Sequence, residues 1–161
     1  MSKVSIVVPV YYNASSLHML AERLSALAEA HPEYEFEFVY VDDGSGDNSF
    51  AVLKEIAAVD ARVKVVKLVR NFGSNTAILA GISYATGDCV GFVAADLQDP
   101  PEAYHEMLKY WEAGSKVVFA VRADRAGDPW TTRLFAGMFN WLFKTLVFPG
   151  FSPQGIGFFL V

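Results

Sequence analysis

Residues 36–59 read FEFVYVDDGSGDNSFAVLKEIAAV: an apolar run, a turn rich in carboxylates and glycine, and then a segment of helical length. The apolar run Phe36–Val41 has few polar residues on either face, as expected of a parallel strand covered by helices on both sides. The segment Asp47–Val59 has the length and apolar spacing of a helix. This order predicts one unit of an α/β fold.

The same order of apolar run, turn and helical segment recurs along the chain. In the segment 15–30, for example, Leu17, Leu20, Leu24 and Leu27 form one apolar helical stripe. The alternation predicts an α/β domain with a doubly wound, mainly parallel sheet flanked by helices. The other predicted strands are Val4–Val10, Val63–Val69, Cys89–Ala95 and Lys116–Val121, and the other predicted helices are Ser15–Ala30, Asn75–Thr86 and Pro101–Ala113.

The composition of the 161 residues indicates one globular domain. Hydrophobic residues make up 53% of the chain and charged residues 19%, which excludes a disordered protein. The formal net charge of -5 argues against a dedicated nucleic-acid-binding protein, which would carry a basic face. Cys89 is the only cysteine, so we expect no internal disulfide, no CxxC metal site and a reducing compartment. The sequence shows neither a signal-peptide pattern nor an apolar stretch long enough to span a membrane.

Polar residues follow the first two predicted strands, at the edge where parallel α/β sheets bind ligands. The stretch Pro9–Asn13 contains a tyrosine and an asparagine that would offer a flat face and polar edges to a base, although an ordinary strand-to-helix turn also explains it. Asp42 and Asp43 are adjacent carboxylates, which repel each other unless they share a cation or a hydrogen-bond donor. Such carboxylates can accept from a base N–H and from ribose hydroxyls, whereas Asp47 is explained as a cap of the next helix.

The fourth and fifth predicted strands are followed by residues suited to metal and phosphate. We expect Asp96 and Gln98 on the same side of an extended segment, where their oxygens suit Mg²⁺ or Mn²⁺. Asp99 is interpreted as the N-cap of the following helix. Arg122 and Arg125 would clamp a phosphate bidentately, or alternatively form a solvated loop with an Arg–Asp pair.

The third predicted strand is followed by Arg70–Asn75, which contains a glycine and several residues that cap helices. We interpret it as a loop and cap, although the free amides of the next helix could face an anion. The chain contains neither a GxGxxG fingerprint nor a GxxxxGK[ST] phosphate loop, which argues against NAD enzymes and the usual NTPases.

The pattern changes after residue 127, and we divide the chain into a ligand-binding core, 1–127, and an amphipathic segment, 128–161. Residues 134–148 are rich in aromatic side chains but too short and interrupted to span a bilayer. Two interpretations stay open: a buried helix packed on the sheet, which composition favours, and an interfacial helix with Arg133 and Lys144 at headgroup level. Because the sequence ends within the apolar run Phe158–Val161, we expect it to be part of a longer protein.

Together these motifs resemble glycosyltransferase family 2. The resemblance is strongest to its polyprenyl-phosphate branch, which includes dolichol-phosphate mannosyltransferases and bacterial undecaprenyl-phosphate glucosyltransferases. The glycine-rich pieces are weakly specific, whereas the third and fourth matching stretches are highly specific in combination. The matching stretches cover nearly the whole chain and are VVPVYYN (7–13), VDDGSGDNS (41–49), RNFGSNTAILAGISYATGD (70–88), ADLQDPPE (95–102) and VRADR (121–125).

The resemblance implies a Rossmann-like GT-A fold and a metal-dependent, inverting hexosyltransferase that uses a UDP- or GDP-linked sugar. The implied acceptor is a polyprenyl phosphate at the cytoplasmic face of a membrane, and a homo-oligomer is a further expectation. The implied catalytic residues are Asp96, Arg122 and Arg125. Mg²⁺ or Mn²⁺ would be held by Asp96 and Gln98, with Arg122 on a donor phosphate and Arg125 on the acceptor phosphate. The implied nucleotide-binding residues are Pro9, Tyr11, Asn13, Asp42, Asp43 and Ala95.

The chain departs from the family pattern at three acidic positions. Ala94 stands where the family commonly has the first carboxylate of a DxD motif, Asn13 stands near a usual glutamate, and the segment 152–157 lacks a usual aspartate. Two alternatives therefore stay open: a family-2 transferase that acts on a polysaccharide or surface glycan, and a nucleotide-binding homologue with impaired catalysis. The VRADR stretch and the absence of a QxxRW motif argue against processive polymer synthesis.

Overall fold

The computed structural model describes residues 1–121 and 156–161, and these residues form a six-stranded sheet with helices on both faces. A short 3₁₀ turn, Pro101–Ala103, leads into the fourth helix. The strands are β1 (Ser2–Val10), β2 (Tyr34–Asp42), β3 (Val63–Lys67), β4 (Cys89–Phe92), β5 (Val118–Val121) and β6 (Ile156–Leu160), and the helices are α1 (Leu17–Ala30), α2 (Ser49–Val59), α3 (Ser74–Tyr84) and α4 (Tyr104–Glu112).

The strands lie in the order β3-β2-β1-β4-β6-β5, and the first four are parallel to one another. The predicted doubly wound, mainly parallel sheet is thus confirmed. In the register, Val10 of β1 is level with Asp42 of β2, and Asp42 is level with Lys67 of β3. The loops that follow these strands therefore start at the same edge of the sheet.

Strand β6 was not predicted from the sequence. It is antiparallel to both β4 and β5 and lies between them, so the fifth predicted strand does not pair directly with β4. Strand β4 also ends at Phe92, three residues before the predicted end at Ala95. Val93 and Ala95 lie beyond the end of β4 but are buried in the core, and the amide of Val93 still donates to the carbonyl oxygen of Val7 at 3.0 Å.

The alternation of side chains in β2 separates two layers of core. Phe36, Phe38 and Tyr40 pack in one cluster with residues of α1, α2 and α4. Val39 and Val41 pack on the other face with Ala77 of α3. Helix α3 approaches the sheet closely because Gly81 has no side chain, and a Cβ there would overlap the side chain of Val7.

The cysteine of β4 gives a direct test of this packing. Cys89 is 1% exposed, and burial raises the pKa of its thiol to about 12. The thiolate is the reactive form of cysteine. We therefore expect a thiol reagent such as DTNB to label the native protein only as fast as local unfolding exposes Cys89, and to label the denatured protein at once. Rapid labelling of the native protein would contradict the buried position of Cys89.

The predicted segment 128–161 lies outside the described residues except for its last six. The candidate residues Arg122 and Arg125, and the proposed headgroup residues Arg133 and Lys144, lie outside them as well. Within residues 1–121 and 156–161, none of the helices combines the length and the apolar character that crossing a bilayer needs.

Candidate active site

A cleft of about 320 Å³ opens at the edge of the sheet where the first four strands end. Its walls come from the loops after β1, β2, β3 and β4, together with the start of α3. Parallel strands place these loops side by side although they are far apart in the sequence. The cleft is lined by Pro9, Val10, Tyr11, Asn13, Asp43, Asn71, Gly73, Ser74, Ala77, Ala94, Ala95 and Asp96.

Most of the site residues predicted from the sequence are brought together by this cleft. Two are not part of its lining: Asp42, which is fully buried, and Gln98, which is exposed. Arg122 and Arg125 lie outside the described residues. The predicted residues that do line the cleft are Pro9, Tyr11, Asn13, Asp43, Ala95 and Asp96.

The carboxylate of Asp43 holds the loop after β3 in place. Its Oδ1 accepts from the amide of Phe72 at 2.8 Å and its Oδ2 from the amide of Gly73 at 2.9 Å. The neighbouring Asp42 accepts from the amide of Ser45 through Oδ1 at 3.1 Å, and its buried Oδ2 has no partner within the described part of the chain. Backbone donors therefore compensate the repulsion expected between the adjacent carboxylates.

The loop after β1 is attached to the start of α2. The amide of Asn13 donates to Oγ of Ser49 at 3.0 Å, and the amide of Ala14 donates to Oδ2 of Asp47 at 3.3 Å. Oδ1 of Asp47 also accepts from the amide of Ser49, the first residue of α2, at 3.0 Å, although the N-cap position of α2 is Asn48 and not Asp47. Burial alone would raise the pKa of Asp47, but hydrogen bonds from Ser49 and Ala14 hold it below its usual value.

The loop after β1 is also attached to the loop after β4. The hydroxyl of Ser16 donates to the carbonyl oxygens of Ala95 at 2.6 Å and Asn13 at 3.0 Å. The three contacts made by Asp43, Asp47 and Ser16 connect all four loops of the cleft. The cleft walls are therefore held by polar contacts between loops and not by side-chain packing alone.

The predicted extended geometry after β4 was wrong. Leu97 adopts a left-handed backbone with φ of 63°, and Oδ1 of Asp96 accepts from the amide of Gln98 at 3.1 Å. These residues form a tight turn, because the Asp96 side chain can hydrogen-bond to the backbone two residues ahead. The N-cap of the following turn is Pro100, so the assignment of Asp99 as N-cap was wrong by one position.

Two carboxylates line the cleft. Asp43 is buried and both its oxygens accept hydrogen bonds from backbone amides, whereas Asp96 is exposed. No cluster of three or more histidine, cysteine, aspartate or glutamate side chains suited to a metal occurs within residues 1–121 and 156–161. Asp96 is the exposed carboxylate of the lining, and the exposed Gln98 lies two residues further along the chain. Carboxylate and amide oxygens of this kind suit a hard cation that completes its coordination with water and phosphate oxygens.

The loop after β3 and the start of α3 contribute cleft residues that the sequence analysis did not assign to the site. Asn71, Gly73, Ser74 and Ala77 line the cleft. A glycine among cap-type residues is the sequence signal for this wall of the cleft, and the same pattern is typical of an ordinary loop and helix cap. Gly73 has φ of 91°, and its amide donates both to Asp43 and to Oδ1 of Asn71, at 2.8 Å for the latter.

Known proteins resemble this chain over most of its length. Residues 5–156 match the sequence model of glycosyl transferase family 2. The chain is 42% identical over 135 residues to the glycosyltransferase YkcC of Bacillus subtilis (strain 168), an alignment that covers 84% of this chain and 42% of that protein. It is 37% identical over 153 residues to the undecaprenyl-phosphate 4-deoxy-4-formamido-L-arabinose transferase of Edwardsiella ictaluri (strain 93-146), with 94% and 46% covered. It is 34% identical over 142 residues to the bactoprenol glucosyl transferase of Shigella phage SfX, with 88% and 45% covered.

Solved structures share the fold. The mannosyl-3-phosphoglycerate synthase from Rubrobacter xylanophilus has a TM-score of 0.73 and 24% identity, with 99% of this chain and 53% of that chain covered. The mannosyltransferase PcManGT from Pyrobaculum calidifontis, solved with GDP-Man and Mn²⁺, has a TM-score of 0.60 and 23% identity, with 76% and 36% covered. These likenesses confirm the predicted GT-A fold.

The chain spans a little under half the length of the curated relatives that it matches. The family model matches residues 5–156, and three relatives are at least 34% identical over 84% or more of this chain. The chain therefore belongs to glycosyl transferase family 2.

Proposed function

We propose that this chain is the catalytic domain of an inverting transferase that moves a sugar from a nucleotide sugar to a polyprenyl phosphate. The observation that carries the proposal is the cleft itself, which gathers an exposed aromatic ring, polar backbone groups and the exposed carboxylate of Asp96 at one edge of a parallel sheet. Two relatives that are 34% and 37% identical carry the names bactoprenol glucosyl transferase and undecaprenyl-phosphate transferase, which supports the acceptor class.

The nucleoside would bind at the end of the cleft formed by the loop after β1. Tyr11 lines the cleft and is 46% exposed, so its ring is available to stack on a base. Asn13 and Asp43 line the same cleft and add polar groups for the base and ribose. Ala95 and Pro9 would complete the binding surface beside them.

The donor diphosphate would lie near Asp96 and the first residue of α3, Ser74. Mg²⁺ or Mn²⁺ would be held there by Asp96 and Gln98, and would act as a Lewis acid on the leaving diphosphate. The fit is supported by the exposed oxygens of these two residues. The amides at the start of α3 favour an anion on the same side of the site.

The protein would then need mainly to align two anionic groups. A lipid phosphate is already a nucleophile, so the reaction requires no strong general base. Arg122 would bind a donor phosphate and Arg125 the acceptor phosphate, and attack from the side opposite the leaving group would invert the anomeric carbon. We also propose that the aromatic segment 134–148 lies against the cytoplasmic face of the membrane, whereas residues 156–160 belong to the sheet as β6, and that the full protein forms a homo-oligomer.

The proposal is tested by incubating the protein, in vesicles that contain a short polyprenyl phosphate, with labelled UDP- and GDP-sugars. We expect a lipid-linked sugar and a nucleoside diphosphate from one of these donors. Labelling of a glycan without a lipid product would favour a transferase of the polysaccharide class. Nucleotide binding without any transfer would favour a catalytically impaired homologue, a second candidate favoured by the methyl group of Ala94 in the cleft lining.

The position of Ala94 gives a prediction about metal binding. Ala94 lines the cleft two residues before Asp96, and it contributes no oxygen there. We expect Ala94→Asp to tighten Mn²⁺ binding in the presence of UDP or GDP by about ten-fold, because a second carboxylate adds charge to the donor set. Titration calorimetry with Mn²⁺ measures the change, and an unaltered affinity would contradict our reading of this position.

A further inference from the structure

Tyr12, next to the cleft residue Tyr11, has an unusual backbone conformation. Its φ is 56°, in the left-handed region that bulky residues rarely adopt. Its amide donates to Oγ of Ser45 at 3.1 Å, which fixes the turn against the loop after β2. Asparagine or glycine would adopt this backbone with less strain, so the backbone alone gives no reason for a tyrosine here.

The ring of Tyr12 is not a core residue. It is 56% exposed, and it does not line the cleft. Its ring packs edge-on against the ring of Tyr11, with centroids 4.7 Å apart and an interplanar angle of 81°. Its hydroxyl lies so close to Gly46 that a Cβ on Gly46 would overlap it.

The loop on which the Tyr12 ring rests is itself fixed. Gly44 has φ of 69° and packs against the backbone of Arg70, where an added Cβ would lie 2.5 Å from the carbonyl carbon. The amide of Ser45 donates to the buried carboxylate of Asp42 at 3.1 Å. The loop 44–46 therefore cannot move away from Tyr12 without breaking its hydrogen bond to Asp42 at the end of β2 and its packing against Arg70 in the loop after β3.

We propose that Tyr12 is a positioning residue for the nucleotide: wedged against Gly46, its ring holds the ring of Tyr11 at the cleft wall for a base to stack on. The inference rests on the proposed function, since it needs a nucleotide in the cleft. It assigns Tyr12 no direct contact with the substrate. Its effect is to limit the rotamers of an exposed ring before the ligand arrives, which reduces the entropy lost on binding.

The test compares Tyr12→Asn with the matched control Tyr110→Asn, which changes a tyrosine that is 60% exposed on α4. Asparagine adopts the left-handed backbone readily and lacks the aromatic ring, so this variant removes the ring while keeping the turn. In calorimetry with UDP and GDP in the presence of Mn²⁺, we expect Tyr12→Asn to raise Kd about three- to ten-fold. The transfer reaction should show a raised KM for the donor with kcat little changed, and the control should match the wild type.

A double-mutant cycle shows whether Tyr12 acts through Tyr11. In a Tyr11→Ala background, Tyr12→Asn should weaken nucleotide binding no further, because the ring it supports is absent. Gly46→Ala should weaken binding in the wild-type background, where its methyl group displaces the Tyr12 hydroxyl, and have little effect beside Tyr12→Asn.

The outcomes separate this inference from the proposed function. The inference alone would be overturned if the wild type bound the nucleotide and Tyr12→Asn bound it with the same Kd. It would also be overturned if the effects of Tyr11→Ala and Tyr12→Asn on Kd were additive. Failure of the wild type to bind either nucleotide would overturn the proposed function and this inference with it.

Discussion

Replacement of Asp96 by asparagine should abolish the metal-dependent part of nucleotide binding and lower turnover by about 10²–10³-fold. Asp96 is the exposed carboxylate of the cleft lining, whereas Asp43 is occupied by the amides of Phe72 and Gly73. Asparagine keeps the Oδ1 acceptor that holds the amide of Gln98, so the turn after β4 is retained while the charge is lost. Titration of UDP and GDP with and without Mn²⁺ measures the first effect, and the lipid-linked product measures the second.

The matched control for Asp96→Asn is Glu55→Gln, which makes the same change of charge on α2, away from the cleft. Glu55 is 69% exposed and lies 3.9 Å from His18, so its replacement should leave binding and turnover unaltered. An Asp96→Asn protein with the wild-type response to Mn²⁺ would show that Asp96 does not hold the metal. A loss of nucleotide binding in both variants would mean that binding depends on the net charge of the protein and not on a local site at Asp96.

The sequence predicted the parallel half of the fold because each strand there is followed by its own helix. The apolar runs of β1, β2 and β3 are bounded by polar turns, and each of these strands ends within two residues of its predicted end. Strand β6 lacks such a signal, since an apolar run near the end of the chain does not reveal a partner strand. Its pairing with β4 and β5 is a long-range contact, and local sequence patterns do not encode contacts of that kind.

The site was predictable from the sequence where a residue type suited to a ligand stands directly after a predicted strand. Acidic and aromatic residues directly after strands, such as Tyr11, Asp43 and Asp96, line the cleft because parallel strands deliver their ends to one edge. The role of Asp43 as a support for residues 72–73 was not predictable, because a carboxylate in a turn is equally suited to a ligand and to backbone amides. The left-handed turn at Leu97 was missed for a similar reason, since leucine gives no local signal for positive φ.

We expect the second large effect from the buried Glu37, which lies toward the opposite edge of the sheet. Glu37 is 3% exposed in β2, and its carboxylate lies 2.7 Å from Nζ of Lys64 and 3.3 Å from Nζ of Lys3. It also accepts from the hydroxyls of Ser5 at 2.5 Å and Thr86 at 2.9 Å. We expect Glu37→Gln to lower the free energy of unfolding by about 3 kcal/mol at neutral pH, because the variant loses the buried carboxylate charge while the ammonium groups paired with it stay in place. Urea unfolding followed by circular dichroism measures the change.

The pH dependence of this effect has a definite sign. Burial alone would raise the pKa of Glu37, but Lys64, Ser5 and Thr86 together lower it from 4.5 to about 2. Below the unfolded-state pKa the unfolded chain takes up a proton that the folded protein does not, so the contribution of Glu37 is complete above that pKa and is lost as the pH falls toward the folded value. We therefore expect the stability difference between the wild type and Glu37→Gln to shrink by about 2 kcal/mol from pH 5 to pH 3.

Glu35→Gln is the matched control for Glu37→Gln, because Glu35 lies on the same strand and 3.3 Å from the same Lys3 but is 64% exposed. An exposed ion pair contributes little, so this variant should lose less than about 0.5 kcal/mol of unfolding free energy at neutral pH. Equal losses of unfolding free energy in the two variants would mean that stability depends on net charge alone and not on the buried position of Glu37. A Glu37→Gln protein as stable as the wild type would mean that the hydrogen bonds which the single glutamine oxygen can still accept, such as that from Ser5, stabilise this edge without the carboxylate charge.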